Sequence, residues 1–309
     1  MEDRIVDEVF QTRRLVSPGA EEWLYKPIKC LDHGFVYLVD YMGSDDAVVQ
    51  AARVSYGKGT KKVSEDKGLI RYLRRHMHTT PFEMVEFKFH CKMPIFVARQ
   101  WIRHRTANVN EYSGRYSEMM DEFYMPDESV LWKQSQTNRQ GGGKDLLEPE
   151  KAAAVLKTLK ADYESVYSHY KEFLDSDLRR ELARINLSVA NYTQWYWKID
   201  LHNLMHFLGL RLDAHAQYEI RVFGEAMAQI VKDAVPICYE AFEDYQVNGM
   251  RLSGLEVDLI SDLISNRRLF FTKEQIMTIA SEKFHNKRET EEFVDKFERL
   301  RCLHFEAKN

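Results

Sequence analysis

Apolar and polar positions alternate most sharply over residues 84–93. Val85, Phe87, Phe89, Cys91 and Met93 fall on one face, and Glu86, Lys88, His90 and Lys92 on the other. A period of two predicts a strand buried on one side. Residues 35–39 read as a second strand. Residues 192–199, alternating and rich in aromatics, read as a third. Spacings of three and four predict helices elsewhere. One covers 45–54, and Ser64 caps another that carries Leu69, Ile70 and Leu73 on one face. Pro94 opens a short helix over 95–103. Over 150–174, Val155, Leu159, Tyr163, Val166, Tyr170 and Phe173 mark an amphipathic helix. Asp177 caps the next, with Leu178, Leu182 and Ile185 inward and Arg184 near its far end. Asp200 caps a helix running to Leu210, and a long helix from about His215 to Ala234 stops before Pro236.

Three stretches stand apart from this pattern. Residues 1–32 read as an N-terminal extension with Trp23 and Tyr25 as packing anchors. Residues 134–149 are polar, contain Gly141-Gly142-Gly143 and read as a flexible surface loop or insertion. Beyond about residue 250, Leu255, Leu259, Leu263, Phe293, Phe297 and Leu300 suggest short amphipathic helices, and Thr272 to Gln275 fits a capping box.

Composition narrows the class. A chain of 309 residues, 44% hydrophobic and 30% charged, has enough apolar content for a sizeable core. A pI near 6.3 argues against a general nucleic-acid binder. No apolar run approaches the roughly 20 residues that span a bilayer. The acidic N-terminus lacks the basic and apolar regions of a leader, so the expectation is a cytoplasmic protein away from membranes. Cys30, Cys91, Cys238 and Cys302 form no CxxC pair and are expected as free thiols in a reducing compartment.

Against the net charge of −4, residues 99–116 are strongly basic. Arg99, Arg103, Arg105 and Arg115 surround His104, Asn108, Asn110, Glu111 and Ser113. Solvated charged faces are usually rich in Lys and Glu, whereas this set is Arg, Asn and Ser. Arg grips phosphate or carboxylate through a fixed fork of donors. The Ser113 hydroxyl, the backbone at Gly114 and the charge of Arg115 suit a phosphate. The stretch reads as a pocket for a phosphorylated, base-bearing small molecule.

Other polar residues are less specific. His76 and His78 form an HxH that fits a metal-site fragment or a helix C-terminus equally well. His202 and His206 lie four apart on one helix face and, with His215, offer a zinc-ligand set. Asn203 stands where an H-E-x-x-H helix has Glu, which weakens that reading. No GxGxxG turn follows a strand, so no Rossmann dinucleotide site is evident. Ser113 lacks a His/Asp partner that would make it a nucleophile. Arg211 is the residue singled out for chemistry. A guanidinium about 4 Å from a heterocyclic anion is worth about 4 kcal/mol at an effective dielectric of 20. That lowers the pKa of a ring N–H by roughly three units before desolvation is charged against it. The alternative is a structural pair with Asp213 or Glu219.

The spacing Arg103-His104-Arg105, seven residues, Ser113 resembles the RHR-x7-S signature of the flavin-dependent thymidylate synthases. The likeness continues through Asn110-Glu111 and Ser113-Gly114-Arg115-Tyr116, the H-x-T-P-F-E of His78 to Glu83, the Ser55 segment, and L-R-x-D-x-H-A-Q-x-E from Leu210 to Glu219. The resemblance covers roughly 33–248. It implies an α+β fold, a mixed sheet with flanking helices, as a catalytic domain over 33–250 that carries the 134–149 insertion, with a helical extension over 251–309. It implies a homotetramer with active sites shared between subunits.

The reaction implied is reductive methylation of dUMP to dTMP in de novo thymidylate synthesis. FAD is the cofactor, 5,10-methylenetetrahydrofolate the one-carbon donor and NADPH the reductant. For dUMP the resemblance implies Gln100, Arg103, Glu111, Ser113, Gly114, Arg115, Arg184 and Arg211, with Arg211 catalytic. For FAD it implies Ser55, His78, Thr80, Glu83, Arg103, His104, Arg105, Asn110, Glu111, Asp200, His202, His206 and Leu210. The other class of thymidylate synthase uses a Cys nucleophile, and no Cys lies near Arg211 or the Arg-rich segment in sequence. Two other classes stay open on the residues alone: a metal-dependent nucleotide hydrolase built on the histidines, and an RNA-binding module built on the Arg cluster.

Overall fold

A computed structural model of the chain describes residues 11–54, 66–135, 142–265, 271–284 and 287–306. Ser55, Ser64 and Gly141 lie outside them. The chain divides into two compact units, Met1–Val247 and Asn248–Asn309.

The first unit is built on a five-stranded sheet. Its elements begin with α1 (Pro18–Trp23), β1 (Ile28–Cys30), β2 (Gly34–Met42), α2 (Asp45–Val54) and α3 (Asp66–Arg75). Then come β3 (Glu86–Pro94), α4 (Ile95–Trp101), β4 (Asn108–Glu111), β5 (Trp132–Gln134), β6 (Gly142–Leu146), α5 (Pro149–Asp175) and α6 (Arg180–Ala183). It closes with β7 (Tyr192–Asp200), α7 (Leu201–Arg211), α8 (Tyr218–Ala234) and α9 (Pro236–Phe242). The sheet order is β1-β2-β3-β7-β4. Every pairing is antiparallel, which corrects the expected mixed sheet within the α+β class. A tight turn joins β1 to β2, and the two long central strands, β3 and β7, meet in opposite directions over nine paired positions.

The alternation in β3 does what its period requires. Phe87, Phe89 and Cys91 face the core opposite Ile199, Trp197 and Trp195 of β7. Val97 and Trp101 of α4, Leu204, Phe207 and Leu208 of α7, and Ile220, Phe223 and Met227 of α8 cover that face. Trp101 is fully buried. Its ring stacks on Phe207 at 5.1 Å and meets Trp195 and Trp197 edge-on at 5.5 and 5.3 Å. The polar face is also partly covered. His90 is buried beneath Tyr37 and Tyr196, with its ring nitrogens on Tyr37 Oη and Gln194 Oε1.

Several expectations are corrected. Residues 18–30, assigned to an extension, belong to the main unit: β1 pairs with β2, and Gly19 brings α1 against α8 so closely that an added Cβ would sit 1.9 Å from Asp233 O. Ser17 caps α1 and donates its hydroxyl to Ala234 O at 2.6 Å. In the 134–149 segment, β5 and β6 form an antiparallel hairpin, with Gly142 packed on the Trp132 side chain. Asp177 adopts a left-handed φ of 56° and caps nothing; α6 begins at Arg180 and Arg184 opens a 3-10 turn. The 95–103 helix ends at Trp101, which leaves Arg103 to Arg105 in the turn beyond it. The long helix starts at Tyr218, because Asp213 to Gln217 form a turn in which Asp213 accepts from the His215 N–H. Pro236 ends that helix and opens α9.

The second unit comprises α10 (Gly254–Ser265), α11 (Lys273–Lys283) and α12 (Lys287–Glu306) around Leu259, Leu263, Ile276, Phe293 and Phe297. Thr272 and Gln275 form the expected capping box. The buried Glu256 pairs with Lys296 at 2.6 Å and accepts the Ser253 N–H.

Candidate active site

The described site residues fall into three groups. The first lies where the chain leaves α4 and where α7 ends. His104 Nε2 meets Arg211 Nη2 at 3.0 Å. The imidazole lies edge-on to Phe207 at 4.9 Å and 6.0 Å from the His206 ring. Burial, then the charges of Arg211 and His206, push the His104 pKa down to about 4. Burial also lowers that of Arg211, whose Nε is buried without a partner. Gln100 Oε1, one α4 turn before His104, is likewise buried and unpaired. Arg103 and Arg105 are exposed and make no ion pair with the described residues. The structural alternative for Arg211 is not realised: Asp213 pairs with His215, and Glu219 accepts from Gln217 and Tyr124.

The second group lies between α3 and the start of α7. Asp200 caps α7 by accepting from the Asn203 N–H at 2.9 Å and its side-chain amide at 2.7 Å. This places His202 near Arg74 and Glu83. Burial lowers the His202 pKa and Arg74 lowers it further, against Asp200 and Glu83. His202 Nδ1 is buried and unpaired. His78 and Thr80 line a cleft of about 560 Å³ with Ala51, Ala52 and Tyr72. Sequence reasoning passed over Tyr72, whose ring lies 4.4 Å from His76 and 6.0 Å from His78. The only sequence signal was its helical spacing from His76.

The third group follows β4, a short edge strand that no periodicity announced. Glu111 accepts from the Thr193 hydroxyl at 2.8 Å. Ser113 Oγ accepts the Arg115 N–H at 3.3 Å, forming a tight turn. At Gly114 a Cβ would lie 2.9 Å from Arg184 Nη1, so the missing side chain is what lets Arg184 reach this turn. Arg115 pairs with Glu181 at 3.1 Å. A cleft of about 230 Å³ lined by Asn110, Glu111, Ser113, Tyr116 and Tyr196 opens beside it. Among the described residues, no hydrogen bond or ion pair joins this group to His104 or Arg211. Leu210 and His206 are exposed.

Among the described residues, no three His, Cys, Asp or Glu side chains are arranged to hold a metal ion. Cys30, Cys91 and Cys238 are buried free thiols, with Cys30 pushed up to about 12 chiefly by burial. The geometry is that of cationic and polar groups disposed around clefts.

Known proteins resemble this chain in sequence and fold. The family model described as thymidylate synthase complementing protein matches residues 37–237. The chain is 54% identical over 270 residues to a flavin-dependent thymidylate synthase of Rickettsia bellii, covering 84% of this chain and 92% of the relative. It is 57% identical over 258 residues to one of Ruegeria pomeroyi, covering 82% and 85%. Among solved structures, the UMP/dUMP methylase PolB of Streptomyces cacaoi bound with 5-Br dUMP superposes with a TM-score of 0.63 at 35% identity, covering 71% of this chain and 98% of PolB. The match over most of the first unit, together with the Arg-His-Arg turn and its distant serine, establishes that the chain belongs to the thymidylate synthase complementing protein family, that of the flavin-dependent thymidylate synthases.

Proposed function

We propose that this protein converts dUMP, 5,10-methylenetetrahydrofolate and NADPH, with a proton, into dTMP, tetrahydrofolate and NADP⁺, with FAD as its cofactor. The observation that carries the reading is Arg211, half-buried, with no carboxylate partner among the described residues and with an unpaired Nε. Such a cation favours the anionic form of a pyrimidine placed against it. The anion is the better nucleophile at C5, so no cysteine attack is needed. Ser113, Gly114, Arg115 and Arg184 present hydroxyl, backbone and guanidinium groups to the phosphate. Gln100, Arg103 and Glu111 complete the proposed dUMP set.

The residues present fit FAD. Unpaired buried atoms on His202 and Gln100 can meet the ring edges, and exposed Arg103 and Arg105 can meet the pyrophosphate. His78 and Thr80 border the large cleft, and Glu83, His104, Asn110, Glu111, Asp200, His206 and Leu210 complete the described part of the proposed set. FAD held by these residues would supply the reducing hydride, drawn ultimately from NADPH. The separation of the three groups within one chain supports a homotetramer whose sites draw residues from several copies. No described helix is long and apolar enough to cross a membrane, and a cytoplasmic location is part of this reading.

The test is dTMP formation by the purified protein from the three substrates, with FAD present or stripped. FAD-dependent turnover is expected, and Arg211→Ala should lower kcat/KM by about a thousandfold, the equivalent of a ~4 kcal/mol contact. Absence of dTMP from a folded protein that binds dUMP refutes the reading.

A further inference from the structure

Arg211 is the last residue of α7, and its long side chain has several rotatable bonds. Two features restrain it. Gly224 of α8 packs against its root: an added Cβ there would lie 3.1 Å from Arg211 Cβ. The His104 imidazole meets its far end at 3.0 Å, the single hydrogen bond of the guanidinium among the described residues. We propose that His104 is a positioning residue for Arg211, accepting the Nη2–H at Nε2 and thereby aiming the guanidinium at the nucleotide ring.

The choice of acceptor has a chemical logic. A carboxylate would orient the guanidinium more firmly but would cancel the charge it needs. A neutral imidazole orients it and leaves the full positive charge for the substrate. Since Arg is donor-only, Nε2 is the acceptor and Nδ1 carries the proton. The groups facing the ring are Arg211 and His206 of α7, and both disfavour a second proton, as does burial. The imidazole is itself held by packing, because Phe207, against which it stands edge-on, is stacked on Trp101. This role is separate from the flavin contact that the family resemblance implies for His104.

The inference rests on the reading of Arg211 above, and a double-mutant cycle separates the two. dUMP affinity is measured by calorimetry on the FAD-loaded protein carrying His104→Phe, Arg211→Ala or both. Turnover, bound flavin per chain and thermal unfolding are measured in parallel. Phe keeps the ring packing and removes the acceptor. In protein saturated with FAD, His104→Phe should weaken dUMP binding and lower kcat by roughly ten- to a hundredfold, with the unfolding temperature kept. His104→Gln, whose amide oxygen reaches the Nε2 position, should recover activity to within a few-fold. In the Arg211→Ala background, His104→Phe should add less than about twofold. Equal losses in both backgrounds, a Gln variant as poor as Phe, or recovery of the Phe variant by excess FAD alone each overturn the positioning role. An Arg211→Ala protein with unchanged dUMP affinity and turnover overturns the Arg211 reading itself.

Discussion

Gly114→Ala discriminates between a nucleotide-binding turn and an ordinary loop. The new methyl would lie 2.7 Å from Met119 Sδ, 2.9 Å from Arg184 Nη1 and 3.0 Å from Arg184 Cδ. Ordinary contact requires those atoms to retreat by roughly half to three-quarters of an ångström. All three belong to flexible side chains, and Gly114 does not adopt a positive φ, so the backbone can stay in place. The fold should therefore lose less than about 1 kcal/mol. The cost falls on Arg184, pushed from the position where it would share a phosphate with Ser113 and Arg115. One charge-assisted hydrogen bond is worth about 1.5–3 kcal/mol. At about 1.36 kcal/mol per tenfold change, the KM for dUMP should rise roughly ten- to 150-fold, with a smaller change in kcat. Steady-state kinetics in dUMP, paired with thermal unfolding, measure both sides. An unchanged KM at an unchanged unfolding temperature refutes the assignment of Arg184 and the Ser113 turn to the nucleotide. A large fall in unfolding temperature refutes the argument that side chains absorb the methyl.

Other consequences are as open to measurement. Gly19→Ala forces a methyl onto Asp233 O, a backbone atom, and should destabilise the first unit by about 1–3 kcal/mol in denaturant titration; no loss would mean that α1 docks elsewhere in solution. Glu256→Gln should destabilise the second unit at neutral pH. Burial alone raises the Glu256 pKa, but the hydrogen bonds from Lys296 and Ser253 outweigh it and leave the pKa below the usual carboxylate value. Its contribution is therefore present above the unfolded carboxylate pKa and is lost as pH falls through the folded one. The difference between wild type and variant, followed by unfolding of the intact protein against pH, should close in acid; a difference that widens there contradicts the pairing.

Much of the fold was legible because it depends on local chemistry. The alternation in β3 carries its burial, and Asp200 caps α7 through a hydrogen bond three residues away. Asp177 shows where that logic stops: a capping residue type took a left-handed turn instead. β4 was not visible because all four of its residues are exposed and its strand character comes from pairing with β7, about 87 positions on in sequence. The hairpin of β5 and β6 hides behind polar and glycine residues, with Trp132 supplying its packing. In the candidate site, the Arg-His-Arg turn and Ser113 were readable as a motif. The contact of His104 with Arg211 spans 107 positions and follows only from how α4 and α7 pack.

The Trp101 cluster also gives the protein an intrinsic optical probe. Three of the five tryptophans lie within it, buried, with ring planes crossing at 85° and 78°. Indoles so close and so inclined couple their electronic transitions, which produces strong near-ultraviolet circular dichroism and rapid exchange of excitation energy. The chain leaves this cluster directly into the Arg-His-Arg turn, so a rearrangement of the turn is registered by chromophores already in place. Ligand binding and unfolding at this site can thus be followed on the unlabelled protein.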